Sequence, residues 1–263
     1  MTVARLEAVG RPAEAFEVRN VTAADLRDSL RQGWGDFLEH RGDLLFVGII
    51  YPLVGFAAAA VALQDSLVPL FFPLAAGIGL MGPAVAGGFY ELARRREQGL
   101  ESGWSHFFDV VRRPSFDAFL AVAALLLVLF FAWLAVAAGL YVALMGVAPP
   151  QSLAGFVTRL FTTPEGWALI VLGNLAGLAF AAAVLTVSVV AMPMLVDKDI
   201  DARTAIHISR RAAAANKGAM LRWGVIVAAL LVAGSIPFFV GLAVVLPVLG
   251  YATWHLYTRL VVR

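Results

Sequence analysis

Residues 118–144 read AFLAVAALLLVLFFAWLAVAAGLYVAL, 27 consecutive residues without a charge. At 1.5 Å rise per residue a helix of that length is about 40 Å long, enough to cross a hydrocarbon core of about 30 Å. No soluble domain has a place for such a run on its surface. The rest of the composition agrees: of 263 residues 61% are apolar and 14% charged, and the mean hydropathy is +0.84. Soluble domains average about 45–50% apolar, so lipid is the main solvent of this chain.

Other charge-free intervals repeat the signal. They run over residues 44–63, 66–90, 166–196 and 223–258. The last holds 36 residues and as one helix would be about 54 Å long, while Gly234, Ser235, Pro237 and Gly241 cluster at its middle. It reads as a tight hairpin of two short spans. The expected fold is therefore all-α, a polytopic membrane protein with six transmembrane helices at about 44–63, 66–90, 118–144, 167–195, 221–236 and 239–258. Trp167 is placed as an interfacial anchor of the fourth. Residues 1–21 are expected to form a loosely ordered or disordered tail, and 22–263 a single six-span domain. Met1 to Asp43 is charged and mixed, with no signal-peptide run.

Charge sets the orientation. With the N-terminal segment cytoplasmic, 19 of the 20 Lys/Arg fall inside and only Arg159 outside, which the positive-inside rule favours. Both termini are then cytoplasmic. Three cytoplasmic segments read as amphipathic helices. The first starts at Thr22 and Asp25 and carries Leu26, Leu30, Trp34, Phe37 and Leu38 on one face. The second repeats the spacing with Trp104, Phe107, Phe108 and Val111. A third begins at Asp201, with Ala205, Ile208 and Ala212 on one side. The strings Gly33-Trp34-Gly35-Asp36-Phe37 and Gly103-Trp104-Ser105-His106-Phe107 match and suggest three repeats of surface helix plus hairpin, although the third lacks the tryptophan.

Within the spans the notable residues are small or helix-breaking. Pro69, Pro73 and Pro83 interrupt the second span, with Gly77, Gly79, Gly82, Gly87 and Gly88 beside them. Broken helices line substrate sites in many transporters, but Gly82 with Ala86 and Gly173 with Gly177 equally make close-packing faces. Asn174, the most polar side chain within a span, is expected to hydrogen-bond a neighbouring helix. No Asp, Glu, Lys, Arg or His falls at the centre of a span, which disfavours proton- or sodium-coupled transport.

Cysteine is absent, so disulfides, iron–sulfur clusters and thiolate metal sites are excluded. His40, His106 and His207 lie on cytoplasmic segments, and His255 lies near the cytoplasmic end of the last span beside Trp254. Without histidines at membrane depth, no haem or copper site is expected, and no cofactor or metal at all. Asp197, Asp199 and Asp201 alternate like the first ligands of a calcium loop, but Ala202 and Ile208 stand where that loop needs Gly and Glu. Helix capping accounts for these aspartates better. No G-x-S-x-G or H-E-x-x-H occurs, and a Ser105-His106 neighbour pair points about 100° apart. An enzyme is not expected.

The run Met192-Pro193-Met194-Leu195-Val196-Asp197-Lys198-Asp199-Ile200-Asp201, followed by Ala205, Ser209, Arg211, Ala212, Asn216 and Trp223, resembles a bacterial integral-membrane family catalogued as domain of unknown function 2189. So does the terminal run from Gly241 through Pro247, Gly250 and Trp254 to Tyr257. The resemblance implies a bacterial inner-membrane protein and no established activity. Some relatives carry a cytochrome c oxidase subunit label; the missing histidines leave only an accessory association for this chain. The expected function is a non-catalytic scaffold, assembly or accessory factor of a membrane complex, respiratory on the label's implication. The alternative is a permease or channel for a neutral or amphipathic small molecule. Expected partners are membrane lipids, together with partner membrane proteins or further copies of the chain; nucleic acid is excluded by the balanced net charge of +2.

Overall fold

The computed structural model describes residues 16–39, 68–148, 150, 152–237 and 239–263. Among them the regular elements are helical, apart from one isolated bridge between Val18 and Val261. In chain order they are α1 (23–39), a 3-10 turn (Val68–Leu70), α2 (Phe71–Leu80), α3 (Gly82–Val85), α4 (Gly87–Glu97), a 3-10 helix (Trp104–Arg112), α5 (Phe116–Met145), α6 (Leu153–Thr162), α7 (Pro164–Ser188), α8 (Ala191–Asp197), α9 (Ala202–Ala215), α10 (Lys217–Ser235) and α11 (Leu242–Leu260).

Three stretches are long and apolar enough to cross a membrane: Phe116–Met145, Pro164–Asp197 and Lys217–Ser235. They coincide with the third, fourth and fifth expected spans. The first, at 44–63, lies outside the described residues. The second, expected at 66–90 and described from Val68, is broken into a 3-10 turn, α2, α3 and α4: Pro83 has no N–H to continue the ladder of α2, and Gly82, Gly87 and Gly88 weaken helix at the junctions. The sixth corresponds to helix α11, which runs through Pro247 and is not one of the three stretches fit to cross a membrane. Its second half carries Thr253, His255, Thr258 and Arg259, and protein rather than lipid surrounds it. The hairpin between α10 and α11 is as tight as its glycines imply: a Cβ on Gly241 would lie 2.7 Å from the Gly234 carbonyl oxygen.

The long helices show two environments. On α5 the buried line is Phe119, Val122, Leu126, Trp133 and Ala137, while Leu120, Leu127, Val128 and Phe131 are exposed. Trp133 also donates its indole N–H to the Pro73 carbonyl at 3.0 Å, which ties the broken α2 to the span. The main core lies at the end where α5 and α10 begin and α8 and α11 finish. There α11 is a central pillar: Ala252, Trp254, Leu256, Tyr257 and Leu260 are fully buried against Phe89, Tyr90 and Leu92 of α4, Met192 and Met194 of α8, and Leu26 and Phe37 of α1.

A local hydrogen-bond exchange makes the bend between α7 and α8. Ser209 Oγ, reaching in from α9, donates to the Thr186 carbonyl at 2.9 Å and accepts from Val190 N–H at 3.2 Å. Those two backbone groups would have bonded each other in an unbroken helix. Pro193 removes the next bond but two along the ladder, so the chain turns here without leaving Val190 N–H unsatisfied.

Two surface segments differ from their expected form. On α1 the buried positions are Leu26, Ser29, Gly33, Asp36 and Phe37, whereas Trp34 and Leu38 are exposed. The helix is rotated because Ser29 and Asp36 have partners on α11, an attraction that hydropathy counting does not register. The segment Trp104–Arg112 is a 3-10 helix. The tail expected over 1–21 is described only from Phe16, and there it is tied down. Arg19 N–H donates to Leu260 O at 2.8 Å, Val262 N–H donates to Glu17 O at 3.1 Å, and Asn216 receives Val21 N–H at 2.8 Å while giving its amide to Arg19 O.

Candidate functional site

The polar residues of the core end form three linked ion-pair groups. In the run Glu91-Leu92-Ala93-Arg94-Arg95-Arg96-Glu97, helical spacing sends successive charges to different neighbours. Glu91, 1% exposed, takes a two-pronged bond from Arg94 at 2.6 and 3.0 Å, and Arg113 Nε approaches it at 3.3 Å. Arg113 also donates to the Val196 carbonyl, and Ser115 Oγ to Leu195 O. The end of α8 is thus fastened to the start of α5.

The second group joins α1, α4 and α11. Arg96 reaches Asp36 and Glu39, each at 2.5 Å, and His255 Nε2 lies 2.8 Å from the other Asp36 oxygen. The third closes the C-terminal segment. Glu97 accepts from the Trp254 indole at 3.2 Å and from Arg263 at 2.9 Å, and the Arg263 guanidinium lies 5.8 Å from the centre of the Trp254 ring. Burial pushes the Glu97 carboxyl up, but the bonds from Arg263 and Trp254 outweigh it and hold its pKa below the usual value. Tyr257 donates to Asp197 at 2.8 Å, beside Lys198 at 3.5 Å. Among the described residues every buried side-chain nitrogen or oxygen has a partner.

The structure brings Phe37, Asp197, Trp254 and His255 into or against this assembly and leaves other candidate residues outside it. Asp201 caps α9, accepting from Thr204 N–H at 3.0 Å and from its hydroxyl at 2.6 Å, whereas Asp197 ends α8 and serves the network. Asn174 bonds its own Ile170 carbonyl at 2.7 Å, not a neighbouring helix. Of the glycine pair on α7, Gly177 faces Trp133 at 3.3 Å and Gly173 faces open space, so only half of that face is packed. Gly82, followed by Pro83 at the start of α3, likewise has nothing within 4 Å of a Cβ among the described residues. Sequence reasoning missed Asp36, Glu91, Arg94, Arg96, Glu97 and Arg263. The three arginines flanked by Glu91 and Glu97, set against a span end, were the available signal.

The 3-10 helix explains why neighbouring aromatics have opposite fates. At three residues per turn, side chains three apart eclipse, and the helix has three faces. His106, Asp109 and Arg112 form a polar ladder, with His106 Nδ1 2.7 Å and Arg112 3.0 Å from the Asp109 carboxylate. The His106 contact, ahead of its other partners, holds the Asp109 carboxyl below its usual pKa. Phe107 and Val110 turn inward, Phe107 edge-on to Phe89 at 5.0 Å and pressed on Gly88. Phe108 and Val111 turn outward, 56% and 51% exposed. Trp104 shares the face of Phe107 and Val110 but stands at the first residue of the helix, and there it is exposed while Phe107 is core. Phe107→Ser is expected to cost about 3–5 kcal/mol, and Phe108→Ser about 0.5–1 kcal/mol. Thermal unfolding midpoints of the two variants in detergent check this, and equal losses would contradict the facial assignment.

The fold and its bonded polar end define the class: an all-helical integral membrane protein with several apolar helices. Residues 71–197, just under half of the chain, match the model of a family described as predicted integral membrane protein, DUF2189, the same family that the 192–201 motif resembles. The match takes in 192–197 and stops short of the terminal run at 241–257. No curated protein and no solved structure matches the chain.

Proposed function

We propose that this protein is a non-catalytic scaffold, assembly or accessory factor of a membrane complex in the bacterial inner membrane, with six spans and both termini cytoplasmic. One observation carries the reading: the buried and half-buried ionisable groups of the core end are bonded among themselves in two sets, Glu91 with Arg94 and Arg113, and Asp36 with Arg96 and His255. Groups engaged in this way brace helices; a substrate or proton path needs polar groups turned toward it. The pairing of Val18 with Val261 puts the two end segments side by side, in keeping with a shared cytoplasmic side. The partner-facing residues of this reading are the exposed Trp34 and Trp104.

The broken helix α2–α3 favours the alternative, a permease for a neutral or amphipathic solute. The two readings separate in one experiment. Trp34→Ser/Trp104→Ser is expected to strip co-purifying membrane proteins from the chain, isolated in mild detergent, without lowering its level in the membrane. Gly82→Leu, which adds bulk where a Cβ meets nothing within 4 Å, is expected to leave partner recovery unchanged. If the tryptophan variant keeps every partner while Gly82→Leu abolishes a solute flux, the permease reading replaces the scaffold.

A further inference from the structure

Two sets of basic residues at the core end stand in contrast. Arg94, Arg96, Arg113, Arg259 and Arg263 each have a carboxylate partner. Arg203, His207 and Arg210 of α9, and Lys217 at the start of α10, are exposed and make no ion pair or side-chain hydrogen bond among the described residues. No Asp or Glu occurs in the sequence between Asp201 and Arg263.

The orientation of this edge is set by what lies behind and beside it. Ala205, Ile208, Ser209 and Ala212 are buried on the opposite side of α9, and Ser209 is bonded into the bend between α7 and α8, so α9 cannot rotate its arginines inward. Beyond Asn216, Lys217 shares a face of α10 with Leu221, Val225 and Val232, all exposed apolar residues on a helix fit to cross a membrane. Successive spacings of four, four and seven residues keep that stripe on one side of the helix. A lysine one turn beyond a lipid-facing stripe lies at headgroup depth, where its long stem carries the ammonium to the phosphates.

We propose that the edge formed by Arg203, His207 and Arg210 and continued by Lys217 binds the phosphodiester headgroups of acidic phospholipids in the adjoining leaflet. Its continuity with the apolar face of α10 selects a lipid over a soluble anion, because only a lipid places a phosphate immediately beyond acyl chains packed on Leu221 and Val225. The inference rests on the membrane class alone and does not depend on the scaffold reading.

The test uses the full chain in neutral detergent, titrated with phosphatidylglycerol, with phosphatidylcholine of the same acyl chains, and with inorganic phosphate, bound lipid being counted by native mass spectrometry. Each basic side chain near an acidic headgroup is worth about fivefold in affinity. Arg203→Gln/Arg210→Gln/Lys217→Gln is therefore expected to weaken phosphatidylglycerol binding on the order of a hundredfold, with phosphatidylcholine binding unchanged. The lysine-conserving variant Arg203→Lys/Arg210→Lys keeps most of the affinity. The control Arg27→Gln/Arg31→Gln, exposed on α1, keeps all of it. Raising salt from about 0.1 to about 1 M, which shortens the screening length from about 10 to about 3 Å, mimics the triple variant. The proposal is overturned if the wild type does not distinguish the two lipids, or if the triple variant binds phosphatidylglycerol within twofold of wild type. It is also overturned if inorganic phosphate competes as well as the lipid. Loss of an acidic protein partner with lipid binding intact would assign the edge to that partner instead.

Discussion

Gly33→Ala is expected to destabilise the folded protein by about 3 kcal/mol or more, at or beyond the top of the usual range for overpacking. Helix propensity argues the other way, since alanine is better than glycine by about 1 kcal/mol in a helix interior. Space decides. A Cβ at Gly33 would lie 2.5 Å from the Ala252 backbone nitrogen and 2.8 Å from its Cα. That backbone belongs to the central pillar α11, held on both sides of Ala252 by Tyr251 and Trp254 in the core, and cannot yield as a flexible side chain would. Two residues along, a Cβ at Gly35 meets nothing within 4 Å, so Gly35→Ala should be neutral or stabilising by up to about 1 kcal/mol. Thermal unfolding of the two variants in the same detergent should shift in opposite directions. A shared sign would show that α1 does not cross α11 as closely as described.

Glu91→Ala is the second large effect, with an expected loss of about 3–5 kcal/mol. The carboxylate is 1% exposed and serves two guanidinium groups. Removing it leaves Arg94, whose side chain is 9% exposed, with only Gln98, and leaves Arg113 with the Val196 carbonyl. Burial already lowers the Arg113 pKa, and Glu91 is the first charge that offsets it. The cost thus comes chiefly from stranding buried positive charge. Glu91→Met/Arg94→Met, which removes one charge of each sign and keeps volume, should recover the share of the loss due to Arg94, while Arg113 stays without its carboxylate. A Glu91→Ala variant as stable as wild type would show that the ion pair does not fasten α4 to α5.

The sequence by itself determined the membrane class, three spans, and the folding back of residues 223–258 into two helices. Those features follow from runs of apolar residues and from glycine and proline, whose effects act within a few residues of chain. The charge asymmetry was equally legible as a count, though not the use made of each charge. Tertiary structure decided where charges and faces go. Asp36 is buried because Arg96 and His255 meet it from helices 60 and 219 residues away, a gain that no local pattern records. Phe107 and Phe108, adjacent and chemically identical, separate into core and surface because the segment takes three residues per turn, and Gly88 offers a hollow for one ring only. The bend at Val190 required a hydroxyl from residue 209. In each case a partner distant in sequence supplies the deciding energy, since a buried polar group without its partner costs more than any propensity can repay.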